Sequence, residues 1–356
     1  MNWSSILKDQ LKVQYPVIQA PMLGVTTPAM VAGVSNAGGL GSLPIGGLSK
    51  EESSQLISAT RRLTQQPFAV NLFMHTLPAS TAAEINTMKT LLTAIAGKYG
   101  INDEALISEE APFYTYHDQL SLLLEQHVNI VSFTFGIPDD ASIRLLKDAG
   151  VYLIGTATCV EEALILEQKG INAIVAQGIE AGGHRGSFLP GSPLPQVGSM
   201  ALIPEITDHV SVPVIAAGAI ADARSIMAAH ILGAQGFQPG SIFLRCAESK
   251  AAQPYKDAVQ RSRDTATQLT NVFTGRWARG ISNDFMQTVA AAGIKIPPYP
   301  VQNMLTTTLR KHAAAANKSE LLSLWAGQRA AIATDKTAKA IFEQLIADME
   351  ALAKKG

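Results

Sequence analysis

The chain alternates short apolar runs with longer segments that have a helical pattern. Eight runs are rich in Val, Ile, Phe or Leu, and each is followed by Gly, Pro or polar residues. They are apolar almost throughout rather than at every second position, which is typical of parallel strands buried on both faces. The sequence therefore predicts eight strands, at residues 16–22, 39–44, 68–73, 130–136, 152–157, 173–178, 213–218 and 237–243.

Helical patterns fill most of the intervals between these runs, and several end in Gly, a usual helix stop. They cover residues 28–38, 50–63, 140–150, 159–170 and 221–233. This alternation predicts an α/β fold, specifically a (β/α)₈ TIM barrel. A doubly wound sheet is disfavoured, because no Gly-x-Gly-x-x-Gly motif opens a helix after the first strand.

Two stretches are longer than a barrel requires. Residues 76–128 are predicted to contain two helices, and residues 266–330 are rich in Arg, aromatic residues and Pro. We expect a barrel over residues 1–265, a lid or substrate region over the barrel mouth at 266–330, and a closing barrel helix at 331–356.

Composition narrows the class of protein. Of the 356 residues, 47% are hydrophobic and 16% are charged, which indicates a compact globular chain. The net charge of −1 argues against a nucleic-acid or anionic-membrane partner. The two cysteines, Cys159 and Cys246, fit a reducing compartment. The N-terminus lacks the pattern of a signal peptide and no run is long enough to span a bilayer, so we expect a soluble cytoplasmic protein.

Small and amide-bearing residues follow the predicted strands, where barrels place their functional groups. Amides match the polar edge of a flavin ring, and glycines let the backbone approach a ring or phosphate closely. In each case the alternative is structural, a cap at Asn71 or a simple turn at the glycines. The candidate flavin-binding residues are Met22, Leu23, Gly24, Asn71, Gln177, Gly182, Gly183, Gly218, Gln238, Pro239, Gly240 and Ser241.

His184 is the candidate catalytic residue. It lies in the sequence AGGHRG (181–186), on a flexible glycine pair just past a strand end. Histidine suits proton transfer near neutral pH, and a protonated imidazole would also attract an anion, with Arg185 assisting. The alternative is an ordinary loop histidine. Arg276 and Arg279 are predicted either to bind substrate or phosphate or to hold the lid through a salt bridge.

Several sequence blocks together resemble the nitronate monooxygenases. These are QAPMLGVTTPAMVAGVSNAGGLGSL (19–43), VNLF (70–73), VSFTFG (131–136), GIEAGGHRGSF (178–188), PVIAAGAIAD (213–222) and GFQPGSIFL (236–244). The resemblance implies FMN contacts at Met22, Asn71, Gln177, Gly182, Gly218 and residues 238–241, and catalysis by His184. The chain departs from the family at Thr134, where some relatives have His, and at Pro239, which supplies no N–H to a phosphate.

The resemblance implies an FMN-dependent monooxygenase that oxidises alkyl nitronates, such as propionate 3-nitronate, with O₂ to carbonyl compounds and nitrite or nitrate. The expected partners are a small nitronate and O₂, with no metal, and the chain is expected to be a monomer or homodimer. Two alternatives remain open. One is an FMN-dependent enoyl-thioester (enoyl-ACP) reductase using NAD(P)H, and the other is a non-catalytic phosphate-binding barrel.

Overall fold

A parallel sheet forms the inner wall of the protein. The computed structural model describes residues 5–75, 80–101, 114–189 and 193–354. Seven strands pair in parallel in the order β1-β2-β3-β4-β5-β7-β8, and β6, β10 and β9 form a separate sheet. The strands are β1 (Gly41–Pro44), β2 (Phe68–Phe73), β3 (Ile130–Thr134), β4 (Tyr152–Ala157), β5 (Ala173–Gln177), β6 (Gly183–His184), β7 (Val214–Ala217), β8 (Gly236–Gln238), β9 (Thr267–Thr270) and β10 (Ala278–Ile281).

The segment before β1 closes this sheet into a barrel. Val17 forms a parallel bridge with Phe237 of β8, and Ile18 forms one with Leu40 beside β1. The Ile18 amide donates to the Phe237 carbonyl at 2.8 Å, and the Leu40 amide donates to the Val17 carbonyl at 3.0 Å. The first predicted strand therefore occupies the eighth position, and the predicted (β/α)₈ barrel is confirmed.

Helices surround the barrel where the sequence predicts them. Ser49 and Glu52 form a capping box at the start of α3, and Gly150 and Gly233 follow their helices with φ of +75° and +101°. The helices are α1 (Ile6–Leu11), α2 (Pro28–Asn36), α3 (Lys50–Leu63), α4 (Ala82–Lys98), α5 (Tyr116–Glu125), α6 (Asp140–Asp148), α7 (Val160–Gln168), α8 (Ser199–His209), α9 (Ala223–Ile231), α10 (Gln253–Arg261), α11 (Asp284–Ala291), α12 (Val301–Ala315) and α13 (Ala338–Ala353).

Several predicted strand limits were wrong, and the largest differences lie in three of the runs. In the first run, 16–22, only Val17 and Ile18 form bridges, although the amides of Gln19 and Ala20 still donate to the carbonyls of Leu40 and Pro239. The fourth run, 130–136, ends as β3 at Thr134, since the next residue, Phe135, has a φ of +77°. The last run continues past Gln238 as a 3₁₀ helix, Ser241–Phe243.

The amino end of the barrel is sealed by the N-terminal helix. Leu7 and Leu11 of α1 are buried and belong to one cluster with inward-facing strand residues such as Ile18, Ile154 and Ile215. Apolar side chains therefore fill the interior of the barrel at this end.

The C-terminal third of the chain adds a small sheet and a closing helix. In the small sheet β10 lies between β6 and β9, with both pairings antiparallel. Helix α13 packs against α2 and α9 on the outside of the barrel. The division at residues 265 and 330 stays a prediction.

Three observations concern membrane-spanning helices, the cysteines and metal ligands. No helix of the described residues is long and apolar enough to cross a membrane. Both cysteines are free thiols, and burial raises the pKa of Cys246 to about 12 and that of Cys159 above its usual value. Within the same residues, no group of three His, Cys, Asp or Glu side chains is placed to hold a metal ion.

We expect Phe342→Ala to destabilise the barrel strongly. The Phe342 ring of α13 is fully buried and lies where a side chain at Gly39 would stand, so truncation leaves a cavity beside the closing segment. The free energy of unfolding should fall by about 3–5 kcal/mol, measured by denaturant titration. The neighbouring Glu343→Ala removes only an exposed ion pair with Lys339 and should change it by less than about 0.5 kcal/mol. Equal effects of the two substitutions would contradict the packing of α13.

Candidate active site

A cavity of about 270 Å³ opens at the carboxyl ends of the barrel strands. Strand residues from around the barrel reach it because parallel strands direct their carboxyl ends to one rim. They include Asn71 of β2, Thr134 of β3, Thr156 of β4, Gln177 of β5 and Gln238 of β8. This rim is the site that the sequence predicts.

Most of the candidate residues line this one cavity. His184 is there, with Met22, Leu23, Asn71, Gln177, Gly182, Gly183, Gly218, Gln238, Gly240 and Ser241. Gly24 and Pro239 are not among the described lining residues. Gly24 turns the chain with a φ of +82°, and the Pro239 carbonyl accepts a hydrogen bond from the Ala20 amide at 2.9 Å. The structure therefore brings most of the predicted residues together, and what each one binds stays a prediction.

His184 is held in a strand rather than on a flexible loop. Gly183 and His184 form β6, with His184 opposite Ala278 and Gly183 opposite Arg279 of β10. The expected flexibility was wrong because the ladder to β10, about 95 residues later in the sequence, fixes the glycine pair. The imidazole thus has a defined position on the cavity wall.

The hydrogen bonds of Thr274 determine which ring nitrogen of His184 carries the proton. His184 Nε2 lies 2.8 Å from the Thr274 hydroxyl oxygen. That hydroxyl donates its only hydrogen to the Arg276 carbonyl at 3.2 Å, so it accepts from Nε2–H. Nδ1 then lacks a proton in the neutral ring, and within the described residues it has no hydrogen-bond partner. Nδ1 is therefore the atom that can accept a proton.

The surroundings keep His184 neutral. Burial, and then the positive charges of Arg276 and Arg310, lower the pKa of His184 to about 3. The hypothesis that a protonated His184 attracts an anion is wrong at neutral pH, because desolvation and two cations oppose a third positive charge.

Three aromatic rings enclose the imidazole. The His184 ring centroid lies 5.3 Å from Trp325, 5.5 Å from Phe135 and 6.3 Å from Tyr299. Tyr299 and Trp325 both line the cavity. Burial raises the pKa of Tyr299 to about 12, so its phenol stays protonated and can donate a hydrogen bond.

Two of the side-chain amides on the rim, those of Gln177 and Asn71, differ in how many of their hydrogen-bonding groups are free. Gln177 Nε2 donates to the His184 carbonyl at 3.0 Å, and its oxygen accepts from the Gly186 amide at 2.8 Å. Gln177 therefore clamps the His184 loop. Asn71 uses one N–H on Ser132, at 2.9 Å, which leaves its second N–H and its carbonyl oxygen for a ligand.

Arg185 points away from the cavity. It is 1% exposed, and its guanidinium donates to the carbonyls of Gly178 at 2.6 Å and Gln177 at 2.9 Å. The expectation that Arg185 assists anion binding was wrong, since successive residues of a strand point to opposite sides. Its role here is to fix the turn after β5.

Arg276 and Arg279 tie the C-terminal segment to the barrel through carbonyl groups. Arg276 donates to the Ser187 carbonyl and lies 4.2 Å from the centre of the Phe135 ring, and Arg279 Nε donates to Ile179 at 2.8 Å. Neither is among the described lining residues. Within the described residues neither arginine forms a salt bridge, so carbonyl contacts hold this segment, and a ligand contact of either one stays a prediction.

The rim after β7 and β8 presents backbone amides. Gly218 and Ala219 are consecutive residues with positive φ, +101° and +56°. Within the described residues, the amides of Ala219, Gly240 and Ser241 make no backbone hydrogen bond. Backbone amides without an internal partner at the edge of a cavity suit an anion. The Ser241 oxygen accepts from the Gly327 amide at 2.9 Å, which leaves its hydroxyl hydrogen to donate.

Two further polar residues of the cavity were not predicted. Asn303 and Arg310 lie seven residues apart on α12 and both line the cavity. Arg310 Nη2 donates to the Asn303 side-chain oxygen at 2.7 Å, and burial lowers the pKa of Arg310 to about 10. No motif marks them, because only the tertiary packing of α12 brings this helix to the rim.

The departure at position 134 leaves a small polar side chain on the rim. Thr134 lines the cavity.

Another histidine, His75, lies behind the rim, where it is 8% exposed and packs edge-on against Tyr299 at 5.1 Å. Burial lowers the pKa of His75, and it is not among the described lining residues. His184 is therefore the one histidine that the described residues place on the cavity.

Known proteins resemble this chain along its whole length. A family model for nitronate monooxygenase matches residues 4–348. A probable nitronate monooxygenase of Staphylococcus aureus (strain MRSA252) is 42% identical over 342 residues, 96% of each chain. The crystal structure of nitroalkane oxidase from Streptomyces ansochromogenes is 34% identical with a TM-score of 0.89, over 99% of each chain. The structure of FabK from Thermotoga maritima is 25% identical with a TM-score of 0.77, over 99% of this chain and 98% of FabK.

The match of the family model covers nearly the entire chain, and the identity to the staphylococcal relative extends over almost the same residues. The chain is therefore an oxidoreductase that belongs to the nitronate monooxygenase family.

Proposed function

We propose that the chain is an FMN-dependent nitronate monooxygenase that oxidises alkyl nitronates, such as propionate 3-nitronate, with O₂ to carbonyl compounds and nitrite or nitrate. The observation that carries the proposal is the rim cavity, where His184 lies together with Asn71 and with the free amides of residues 219, 240 and 241. Membership of the family and the likeness to nitroalkane oxidase support it.

The cavity wall fits FMN at both ends. Asn71 offers one N–H and one carbonyl oxygen, which match the alternating donors and acceptors at the edge of a flavin ring. The amides of Ala219, Gly240 and Ser241 suit the phosphate. Pro239 itself supplies no N–H donor, so the amides of Gly240 and Ser241 would bind the phosphate instead. Glycine at position 182 is also needed for packing, because a side chain there would meet the backbone of Ala326 and Gly327.

FMN, when bound, supplies the electron transfer, and the protein positions and protects the reactants. For a neutral nitroalkane, Nδ1 of His184 takes the acidic proton next to the nitro group. For a preformed nitronate this proton is already gone, and His184 only contacts the substrate. The rings of Phe135, Tyr299 and Trp325 keep water away from the imidazole.

The domain organisation is part of the proposal. Residues 1–265 would be the FMN-binding barrel, residues 266–330 a lid or substrate region, and residues 331–356 the closing helix. Support comes from the cavity lining, because Tyr299, Asn303, Arg310 and Trp325 all come from the second of these segments.

Turnover tests the proposed activity directly. We expect the purified protein to be yellow and to consume oxygen when propionate 3-nitronate is added in air. A yellow protein without oxygen uptake would remove the activity and leave the flavin. Rapid anaerobic bleaching by NADH would favour the enoyl-thioester reductase, and a colourless inactive protein would favour the non-catalytic phosphate-binding barrel.

Replacing His184 should separate the two kinds of substrate. In His184→Asn, kcat/KM for a neutral nitroalkane should fall about 10²–10⁴-fold, because the base is lost, and kcat/KM for the preformed nitronate should fall far less. His230→Asn, on the exposed side of α9, is the matched control and should change neither value. Equal losses on both substrates would show that His184 does not act as the base.

The pH profile should carry the signature of a lowered pKa. A base works in its unprotonated form, and the pKa of His184 is lowered to about 3. The value of kcat/KM for a neutral nitroalkane should therefore stay level as the pH falls from about 8 through about 6.5, the usual histidine pKa. It should decline only as the pH approaches the lowered value. A decline centred on the usual histidine pKa would contradict the buried neutral state.

A further inference from the structure

The cavity contains one positive charge that the described residues leave unbalanced. Besides His184, its charged lining residues are Glu180, Arg310 and Arg329. Glu180 accepts from the amide and hydroxyl of Ser199 at 2.9 Å each, and Arg329 pairs with Asp222 at 2.8 Å. Arg310, by contrast, has no carboxylate within ion-pair distance among the residues that the structure describes.

The partners of Arg310 are all neutral. Its Nε donates to the Thr306 carbonyl at 3.3 Å, and its Nη2 donates to Asn303 Oδ1 at 2.7 Å and to Thr307 at 3.0 Å. Its Nη1 donates to the Ser323 hydroxyl at 3.2 Å. An arginine has five N–H donors, so these contacts hold the guanidinium rigid and leave one N–H of Nη1 unused.

Helix α12 places the Arg310 guanidinium on the same cavity as His184. Asn303 and Arg310 are seven residues apart and share one face of α12. Tyr299, just before the helix, lines the same cavity. Tyr299 packs beside His184, and the charge of Arg310 contributes to the lowered pKa of His184. Asn303 Nδ2 has no partner within the described residues, since only its oxygen is engaged by Arg310.

We infer that Arg310 and Asn303 form an oxyanion subsite, which binds a planar group with two oxygens that share a negative charge. The free Nη1–H and the Asn303 amide supply two donors at fixed positions, and the unbalanced charge supplies the attraction. The substrate is then an anion held by Arg310, while its reacting carbon lies near the neutral His184.

Two groups have this chemistry, a nitronate and a carboxylate. The identity of the substrate depends on the proposed function, whereas the anion subsite does not. If Arg310 binds the nitronate group, every nitronate should depend on Arg310. If it binds a carboxylate, only substrates that carry one, such as propionate 3-nitronate, should depend on it.

Binding of unreactive anions tests the subsite without turnover. We expect propionate or nitrate to bind the holoenzyme in isothermal titration, and the affinity to fall about tenfold or more in Arg310→Gln, as for a lost charged hydrogen bond. Lys311→Gln removes a charge from the adjacent exposed position and is the matched control, with no change expected. Flavin content and melting temperature show whether each variant is folded.

A second variant keeps the test decisive if Arg310→Gln does not fold. Asn303→Asp preserves the side-chain shape and turns the 2.7 Å contact into an ion pair, which neutralises Arg310 in place. It should fold and should lose anion affinity to a similar degree. Unchanged affinity in Asn303→Asp would overturn the subsite.

Kinetics then identify the group that is bound. In Asn303→Asp, a raised KM for both propionate 3-nitronate and propyl-1-nitronate supports the nitronate group, and a raised KM for the former alone supports a carboxylate. An unchanged KM for both would overturn the subsite. Anion binding that depends on Arg310 in a protein without nitronate turnover would reject only the proposed function.

Discussion

The antiparallel pairing of β6 with β10 is the contact on which the candidate site depends. It joins the loop after β5 to a segment about 95 residues later, and it places His184 opposite Ala278. The clamp from Gln177 to the His184 carbonyl holds the same loop from the barrel side. Because both contacts act on the backbone, the imidazole is fixed before any ligand binds, as a preorganised site requires.

This fixed position also sets the electrostatics. Burial disfavours the charged imidazole, and nearby guanidinium groups add to that effect, so the ring is a base and not a cation. The positive charge needed for an anion is then supplied by another residue, Arg310, whose pKa of about 10 leaves it protonated at neutral pH. Base and counter-cation are therefore separate groups on two different elements, β6 and α12, that line the same cavity.

The sequence was sufficient for the barrel and for one side of the cavity. Apolar runs mark buried parallel strands, and parallel strands bring residues such as Asn71 and Gln177 to one rim whatever their separation in sequence. The sequence was insufficient where long-range packing determines which residues reach the cavity. Tyr299 and Arg310 reach the rim only through the tertiary position of α12, and the charge state of His184 depends on arginines that no local pattern links to it. Arg185 was misjudged because adjacency in sequence places neighbours of a strand on opposite sides.

The central claim is that His184 is a neutral imidazole that donates from Nε2 to Thr274 and leaves Nδ1 unprotonated. Nitrogen-15 NMR of the histidine-labelled holoenzyme measures this state, with the His184 signals identified by their loss in His184→Asn. At neutral pH we expect one protonated nitrogen, Nε2, and one unprotonated nitrogen, Nδ1. Two protonated nitrogens, or a proton on Nδ1 alone, would contradict the account.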